Sequence, residues 1–545
     1  MNKGIVFTNG SVFDGTRFLP PGTSVLVAGG RVAAVGAHLA DLDTDVRQAE
    51  VVDLDGGTLL PGFIDSHAHP AFGGVQLRSC DLHEAQTQAG YLDIIARYAA
   101  AHPDREWVLG GGWSMPAFPG GIPSRQALDA VVADRPVFLQ NTDGHGAWVN
   151  SRALELAGID SRTPDPADGR IERDADGIPV GMLQEGAMGL VAGLLPPVTD
   201  EDAYLGLLAG QDYLLSLGVT GWQDAIIGNG FGEFDAATAY RQAAGTGKLK
   251  ATVVGALWWD RHRGLEQLAE LVYRRDHEGV GRFRPTSVKM MLDGVAENHT
   301  AAMLDPYLDG HGCATENTGL DFIDPVELPR YVAALDAAGF QVHFHALGDR
   351  AVRFGLDAVE AARRTNGNSG IRHHLAHLQV VHPDDIARFA ALGASANIQP
   401  LWAVNEEQMK ELTIPFLGET RTAWQYQFEA LSRSGAHLAA GSDWPVSSPD
   451  PFLGVHVAVN RAVPETAGDP FLPEQALPRQ TALAAYTSGS ALVNGVSDSA
   501  GSIRLGYDAD FAIADADLAV ISDAEICQAS VRQTWLRGEL AYDRP

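Results

Sequence analysis

Between residues 58 and 484, short apolar runs alternate with longer stretches whose apolar positions recur every three to four residues. The runs are Leu60–Asp65, Val219–Asp224, Ala251–Leu257, Thr286–Leu292, Gln341–His345, Ile371–Leu378, Ala394–Ile398 and His437–Gly441. Several are rich in β-branched and small apolar side chains, as the interior strands of a parallel sheet are. The stretches between them, Pro325–Ala338 and Asp384–Leu392 among them, read as amphipathic helices. Eight strands is the number that closes a (β/α)₈ barrel, so this span predicts an α/β, TIM-like fold.

The gap between the first two runs is about 150 residues, far more than one βα unit needs. It predicts an inserted α/β subdomain over residues 75–215, with a helix at Tyr91–Ala101, strands at Trp107–Gly110 and Val137–Gln140, and a surface loop at Ser161–Gly177. Both ends of the chain show short strands broken by turn residues. Those of residues 1–57 are Ile5–Thr8, Ser24–Ala28, Arg31–Val35 and Val51–Leu54; those of residues 485–545 are Asp510–Ala514 and Ser530–Leu536. Neither end has enough apolar surface to bury a core alone. Together they predict one composite β-sandwich.

Composition narrows the partners. The 545 residues carry 69 acidic and 39 basic side chains, a formal charge of −30. Such a chain repels phosphate backbones and anionic lipid, which argues against nucleic acid and membrane surfaces. Cys80, Cys313 and Cys527 lie far apart, so neither a disulfide framework nor a structural zinc knuckle is expected. The stretch from Met1 to Gly10 lacks the apolar core of a signal peptide, and no apolar run is long enough to span a bilayer. The expectation is a cytoplasmic protein acting on a small molecule.

The candidate chemistry lies at the carboxyl ends of the predicted strands, where barrel enzymes place their active sites. In Pro61-Gly62-Phe63-Ile64-Asp65-Ser66-His67-Ala68-His69-Pro70, alternation puts His67 and His69 on one face, a natural pair of ligands for a divalent metal. His345 and His377 end the fifth and sixth strands, and Asp443 follows the eighth. Within the fourth strand Lys289 is a cation in an apolar setting, costly to bury alone. Either CO₂ carboxylates it into an anion that bridges two metal ions, or it pairs with an acid such as Asp293, on the same face by alternation. His343 and His373 read as hydrogen-bonded core residues, His374 carries no role, and His83, His102, His262 and His277 read as solvated.

These motifs resemble the amidohydrolase superfamily, in the amidohydrolase family 3 branch that includes N-substituted formamide deformylase. The resemblance runs from Asn9-Gly10 and Gly30–Gly36 through Pro61–Pro70 and Asp143-Gly144-His145-Gly146-Ala147-Trp148 in the insert. Lys289…Asp293-Gly294, His345–Ala351, His377, Gly441–Val446 and the closing Gly501–Asp510 continue it. It implies that His67 and His69 hold one metal and His345 and His377 a second, with Lys289 bridging and Asp443 both ligand and general base. It implies one or two divalent ions, zinc the commonest, and a homodimer. Asn298-His299-Thr300, after Asp293-Gly294, stands in a region where the family varies and is a candidate pocket wall.

The reaction then expected is hydrolysis of a C–N bond in a small linear amide, an N-substituted formamide being the best single choice. A divalent ion makes hydroxide available near neutral pH, Asp443 moves the proton, and His145 from the insert or the second metal polarises the carbonyl. Trp113, Trp222 and Trp444, with Trp148 and Trp402 as further candidates, are expected to hold an apolar amine portion, and His145 and Asp293 to contact substrate. Cyclic amide or carbamate hydrolysis and deamination are alternatives within the superfamily. No Glu follows His345 or His377 closely, as a deaminase usually requires. A metal-free scaffold is the alternative outside enzymes, and it conflicts with all six ligand positions being filled.

Overall fold

The computed structural model describes residues 4–36, 49–230, 234–466 and 468–544. Residues 1–3 of the amino-terminal stretch lie outside them, as do 37–48 of the segment assigned to the sandwich and the terminal residue.

All eight predicted barrel strands form one parallel sheet. They are β1 (Phe63–Ala68), β2 (Val219–Ile227), β3 (Thr252–Trp258), β4 (Phe283–Met291), β5 (Gln341–Ala346), β6 (His374–His377), β7 (Ser395–Ile398) and β8 (His437–Ala440). Each pairs with its neighbours in chain order. The open ends meet through the segment after β8: the Asp443 amide donates to the His67 carbonyl at 2.7 Å and the His69 amide to the Trp444 carbonyl at 2.8 Å. These two bonds carry the metal-site residues of the first and last strands to one place.

The first predicted strand divides at Gly62. Thr58–Pro61 belongs to a smaller sheet, and β1 starts at Phe63. A side chain at residue 62 would collide with Thr220 on β2, so glycine is what lets the chain pass from one sheet into the other. The small sheet runs in the order Ser11–Val12, Thr58–Pro61, Phe511–Ala514, Val531–Leu536, Glu539–Asp543. The other amino-terminal strands make a second sheet in the order Arg31–Gly36, Ser24–Ala28, Ile5–Thr8, Glu50–Asp53. Phe7, Val25, Leu54, Leu59, Phe511 and Trp535 pack between the two sheets, a core that neither end supplies alone.

The insert has its own six-stranded sheet, from Cys80–Asp81 to Pro179–Glu185. The helix Asp200–Ser216, counted with the insert by sequence, instead precedes β2 and packs on the helix Pro70–Gln76. Gly74 lies so close to the backbone of Gly206 that no side chain fits between the two helices. Among the described residues no helix is long and apolar enough to cross a membrane, and the three cysteines are free thiols.

Candidate metal centre and active-site cavity

At the carboxyl end of the barrel, β1 delivers His67 and the residue just past its end His69, β4 Lys289, β5 His345, β6 His377, and the segment after β8 Asp443. The ligand atoms of His67, His69 and Asp443 all lie within 4.8 Å of one another. Asp443 Oδ1 stands 3.0 Å from His67 Nε2 and 3.1 Å from His69 Nε2. The His377 ring centroid is 4.7 Å from that of His67 and 4.5 Å from that of His345, and Lys289 Nζ is 3.2 Å from His67 Nε2. His377 and Asp443 both adopt positive φ, 79° and 58°, a conformation that costs non-glycine residues energy and persists where the surroundings over-determine it.

A chain of hydrogen bonds through the barrel interior fixes how His67 presents itself. Gln341 Nε2 donates to the carbonyls of Arg372 and Val493, which leaves its oxygen to accept from Gln223 Nε2 at 3.1 Å. Gln223 Oε1 is thereby an acceptor, at 2.6 Å from His343 Nδ1 and 3.0 Å from His374 Nε2. A neutral His343 that donates from Nδ1 must accept at Nε2, and its partner there is His67 Nδ1 at 2.8 Å. The proton of His67 is therefore on Nδ1. Its Nε2 lone pair is directed at the centre, 3.0 Å from a carboxylate oxygen. Two acceptors in such contact call for a cation beside them, a place that Lys289 Nζ, 3.2 Å from the same nitrogen, or a metal ion can fill.

Electrostatics agrees with that donor set. Burial, the largest influence, holds the His67 imidazole at about 3, with Lys289 adding to the effect. It likewise holds His345 and His377 well below the usual range, so these rings are neutral donors at pH 7. His377 Nδ1 is a buried nitrogen with no hydrogen-bond partner. Neutral imidazoles and a carboxylate are the donors a borderline divalent ion takes. The residues present fit a metal.

Beside this centre lies a cavity of about 350 Å³, lined from the barrel by His67, His69, Lys289, His345, His377 and Asp443. The insert closes it from above with Gly112, Ser114, Asn141 and Asp143–His145. His145 Nδ1 lies 3.0 Å from both oxygens of Glu185. Burial alone would depress its pKa, but the Glu185 carboxylate more than offsets this and holds the ring at about 9.

Several expected contacts are not made. Trp113 is fully buried in the core of the insert and donates to the Leu139 carbonyl. Trp222 is buried against Tyr240, whose hydroxyl takes its indole hydrogen, and Trp444 packs on Tyr213 and Gly73. None of the three lines the cavity. Trp148 likewise donates to the Ser124 carbonyl inside the insert. Of the candidate tryptophans only Trp402 reaches the cavity, stacked on His377 at 5.1 Å and 9°. Asp293 lies beyond the end of β4, where strand alternation no longer applies, and accepts from the amides of Ala302, Leu347 and Gly348. It staples two loops and does not line the cavity.

Other residues were misplaced or missed by sequence. His83, read as solvated, lines the cavity, with Nδ1 2.6 Å from Asp81 and Nε2 3.0 Å from the Pro445 carbonyl. Its place is set by the fold of the insert, for which the local sequence has no signal. Gln223 and Gln341 were not singled out either, although a glutamine inside an apolar strand is itself a sign of an internal polar contact.

Comparison with known proteins places this architecture. Residues 50–542 match the amidohydrolase family, in its family 3 branch. The putatively named amidohydrolase YtcJ of Bacillus subtilis is 30% identical over 91% of this chain and 91% of its own. The N-substituted formamide deformylase of Arthrobacter pascens is 29% identical over 96% and 95%. The solved structure of a metal-dependent hydrolase from Pyrococcus horikoshii superposes with a TM-score of 0.72 at 26% identity, covering 95% of this chain and 99% of that one. The chain belongs to the amidohydrolase family and is a metal-dependent hydrolase acting on carbon–nitrogen bonds.

Proposed function

We propose that this hydrolase cleaves a small linear amide with no carboxylate, an N-substituted formamide being the best single case. The observation that carries this is the charge of the cavity wall. Besides the site's own Asp443 it includes Asp143, Glu297 and Glu406, acids that burial pushes up, Glu406 to about 7, while among the described residues Lys289 is its only lysine or arginine. Arg350, the one cation that follows a ligand strand closely, pairs with Asp321 at 3.1 Å and does not line the cavity. The other cation of the wall, the His145 ring, is gripped by Glu185, so an N-acyl amino acid would find no arginine to clasp its carboxylate. Phe72, Tyr91, Met291 and Trp402 offer apolar surface for an amine substituent. Likeness to the A. pascens deformylase supports the same substrate class.

In this reading His67, His69 and Asp443, with His345 and His377, hold a divalent ion, zinc by donor type. That ion supplies the Lewis acidity that lets water act as a nucleophile near neutral pH. Lys289 is carboxylated: as an ammonium it would donate to His67 Nε2 and compete for the lone pair, whereas a carbamate adds oxygen donors. Asp443 Oδ1 is set against both imidazoles, so Oδ2 takes the proton of water and hands it to the departing nitrogen. His145 donates to the carbonyl oxygen as charge develops on it. The insert keeps bulk water away from the reacting group.

The test is hydrolysis of N-benzylformamide against N-acetyl and N-carbamoyl amino acids under one metal condition. The expected result is preference for the formamide. Preference for the carboxylate-bearing compounds would overturn the substrate assignment.

A further inference from the structure

Glu185 ends the last long strand of the insert, and its backbone is unusual. At φ 50° and ψ −128° it occupies a region that residues with side chains rarely enter. Its amide donates to the carbonyl of His145 at 3.0 Å, and its carboxylate returns to the ring of the same residue. The carboxylate is 3% exposed and fully engaged: Oε1 also accepts from the Thr300 hydroxyl at 2.7 Å and from Asn298 Nδ2 at 3.1 Å. Thr300 is held in turn, its oxygen accepting from the Val295 amide at 3.0 Å. The barrel leaves room for this, since a Cβ on Gly294 would stand 2.6 Å from Glu185 Oε1. The segment Asn298-His299-Thr300 is thus a buttress from the barrel that grips a carboxylate of the insert.

Gripped at Nδ1, the His145 imidazole presents Nε2 on its opposite edge. The ring lines the cavity 5.6 Å, centroid to centroid, from His345. We propose that Glu185 is a positioning residue of the reaction, fixing the His145 ring so that its Nε2–H is directed at the carbonyl oxygen of the bound amide. This rests on the role given to His145 above. An isolated imidazole at the tip of a loop would lose that aim by rotation about χ2. Two carboxylate oxygens equidistant from Nδ1, one of them held from the barrel by Thr300 and Asn298, remove that freedom, and orientation is what a preorganised donor contributes. The insert and the barrel must then be docked for His145 to be aimed, which ties the roof of the cavity to turnover.

The experiment is a double-mutant cycle on the metal-loaded full chain with N-benzylformamide, using E185Q, H145A and the double variant. Metal content and melting temperature are measured alongside. The expected result is a fall in kcat of about 10²-fold in either single variant, KM changing less than about threefold, metal content unchanged, and no further fall in the double. Independent, multiplying losses, or an E185Q enzyme with wild-type kcat, would overturn the positioning role while leaving that of His145 intact. An H145A enzyme with wild-type kcat would overturn both. If E185Q fails to fold, T300V keeps the carboxylate and removes one of its holds. It should lower kcat a few-fold in the wild-type background and not in H145A, and an equal drop in both would overturn the proposal. Should the wild type turn over no formamide, the substrate reading fails on its own. The positioning role is then decided by ¹⁵N-histidine NMR: a low-field Nδ1–H signal lost in both E185Q and H145A supports it, and a signal unaffected by E185Q overturns it.

Discussion

Replacing Gln223 with leucine removes the acceptor on which the hydrogen-bond chain to His67 depends, without touching any ligand. Gln223 is 0% exposed and its oxygen takes hydrogens from both His343 and His374. Leucine of similar volume leaves two buried N–H groups unsatisfied, each costing about 1–3 kcal/mol, so the metal-free chain is destabilised by about 2–6 kcal/mol. His343 can relieve its share by moving its proton to Nε2. It then donates to His67 Nδ1, which forces the proton of His67 onto Nε2, the atom that faces Asp443. Loss of such an outer partner typically lowers metal affinity by about 10–100-fold, or about 1.4–2.8 kcal/mol. The assay is competition for zinc against a chelator of known affinity, with thermal melts of metal-free and metal-loaded protein. Q223E, which keeps an acceptor at that place, should retain more of the affinity. A Q223L protein that binds zinc within about twofold of wild type would refute the tautomer argument.

Further outcomes follow from the same geometry. D443N keeps the shape of the side chain but not its basicity, so kcat should fall by about two to four orders of magnitude with substrate still bound, measured by steady-state kinetics and a binding titration. K289A should lose most activity, and short carboxylic acids at high concentration should restore part of it; no rescue would argue against a carboxylated lysine. Two histidines of the site should contribute to the stability of the metal-free chain with opposite pH dependence. The folded pKa of His67 is depressed to about 3, so the unfolded chain binds more protons below about 6.5 and stability is lost from there towards 3. That of His145 is raised to about 9, so its contribution is present below about 6.5 and lost as pH rises through 9. Denaturant melts across pH should show the His145 contribution as a stability difference between wild type and H145A that shrinks as pH rises through 9, and a difference independent of pH would refute it.

The legible part of this protein was whatever a single strand could carry. Parallel barrel strands are buried on both faces and stand out as apolar runs, and ligands at their carboxyl ends follow from the fold. His67, His69, His345, His377 and Asp443 stand at or just past the ends of such runs, and the structure gathers them. Lys289 was conspicuous for the same reason, as a cation among β-branched and sulfur side chains. What sequence could not supply was the direction of side chains outside the barrel. Trp113 and Trp222 are as large and as near to the motifs as Trp402, but packing within their own elements turns them inward. Asp293 failed because strand geometry was extended past Met291, where β4 ends. Glu185 lies 40 residues from the loop residue His145, at the end of a strand, and nothing local distinguishes its carboxylate from the many exposed ones.

The central claim is that one cluster of barrel-end donors holds a catalytic divalent ion. Anomalous diffraction at the zinc edge from crystals of the zinc-loaded protein tests it most directly. The account predicts a peak within about 2.0–2.2 Å of His67 Nε2, a His69 nitrogen and an Asp443 oxygen. A zinc-loaded crystal with no peak there, or with its ion bound by other residues, would contradict it.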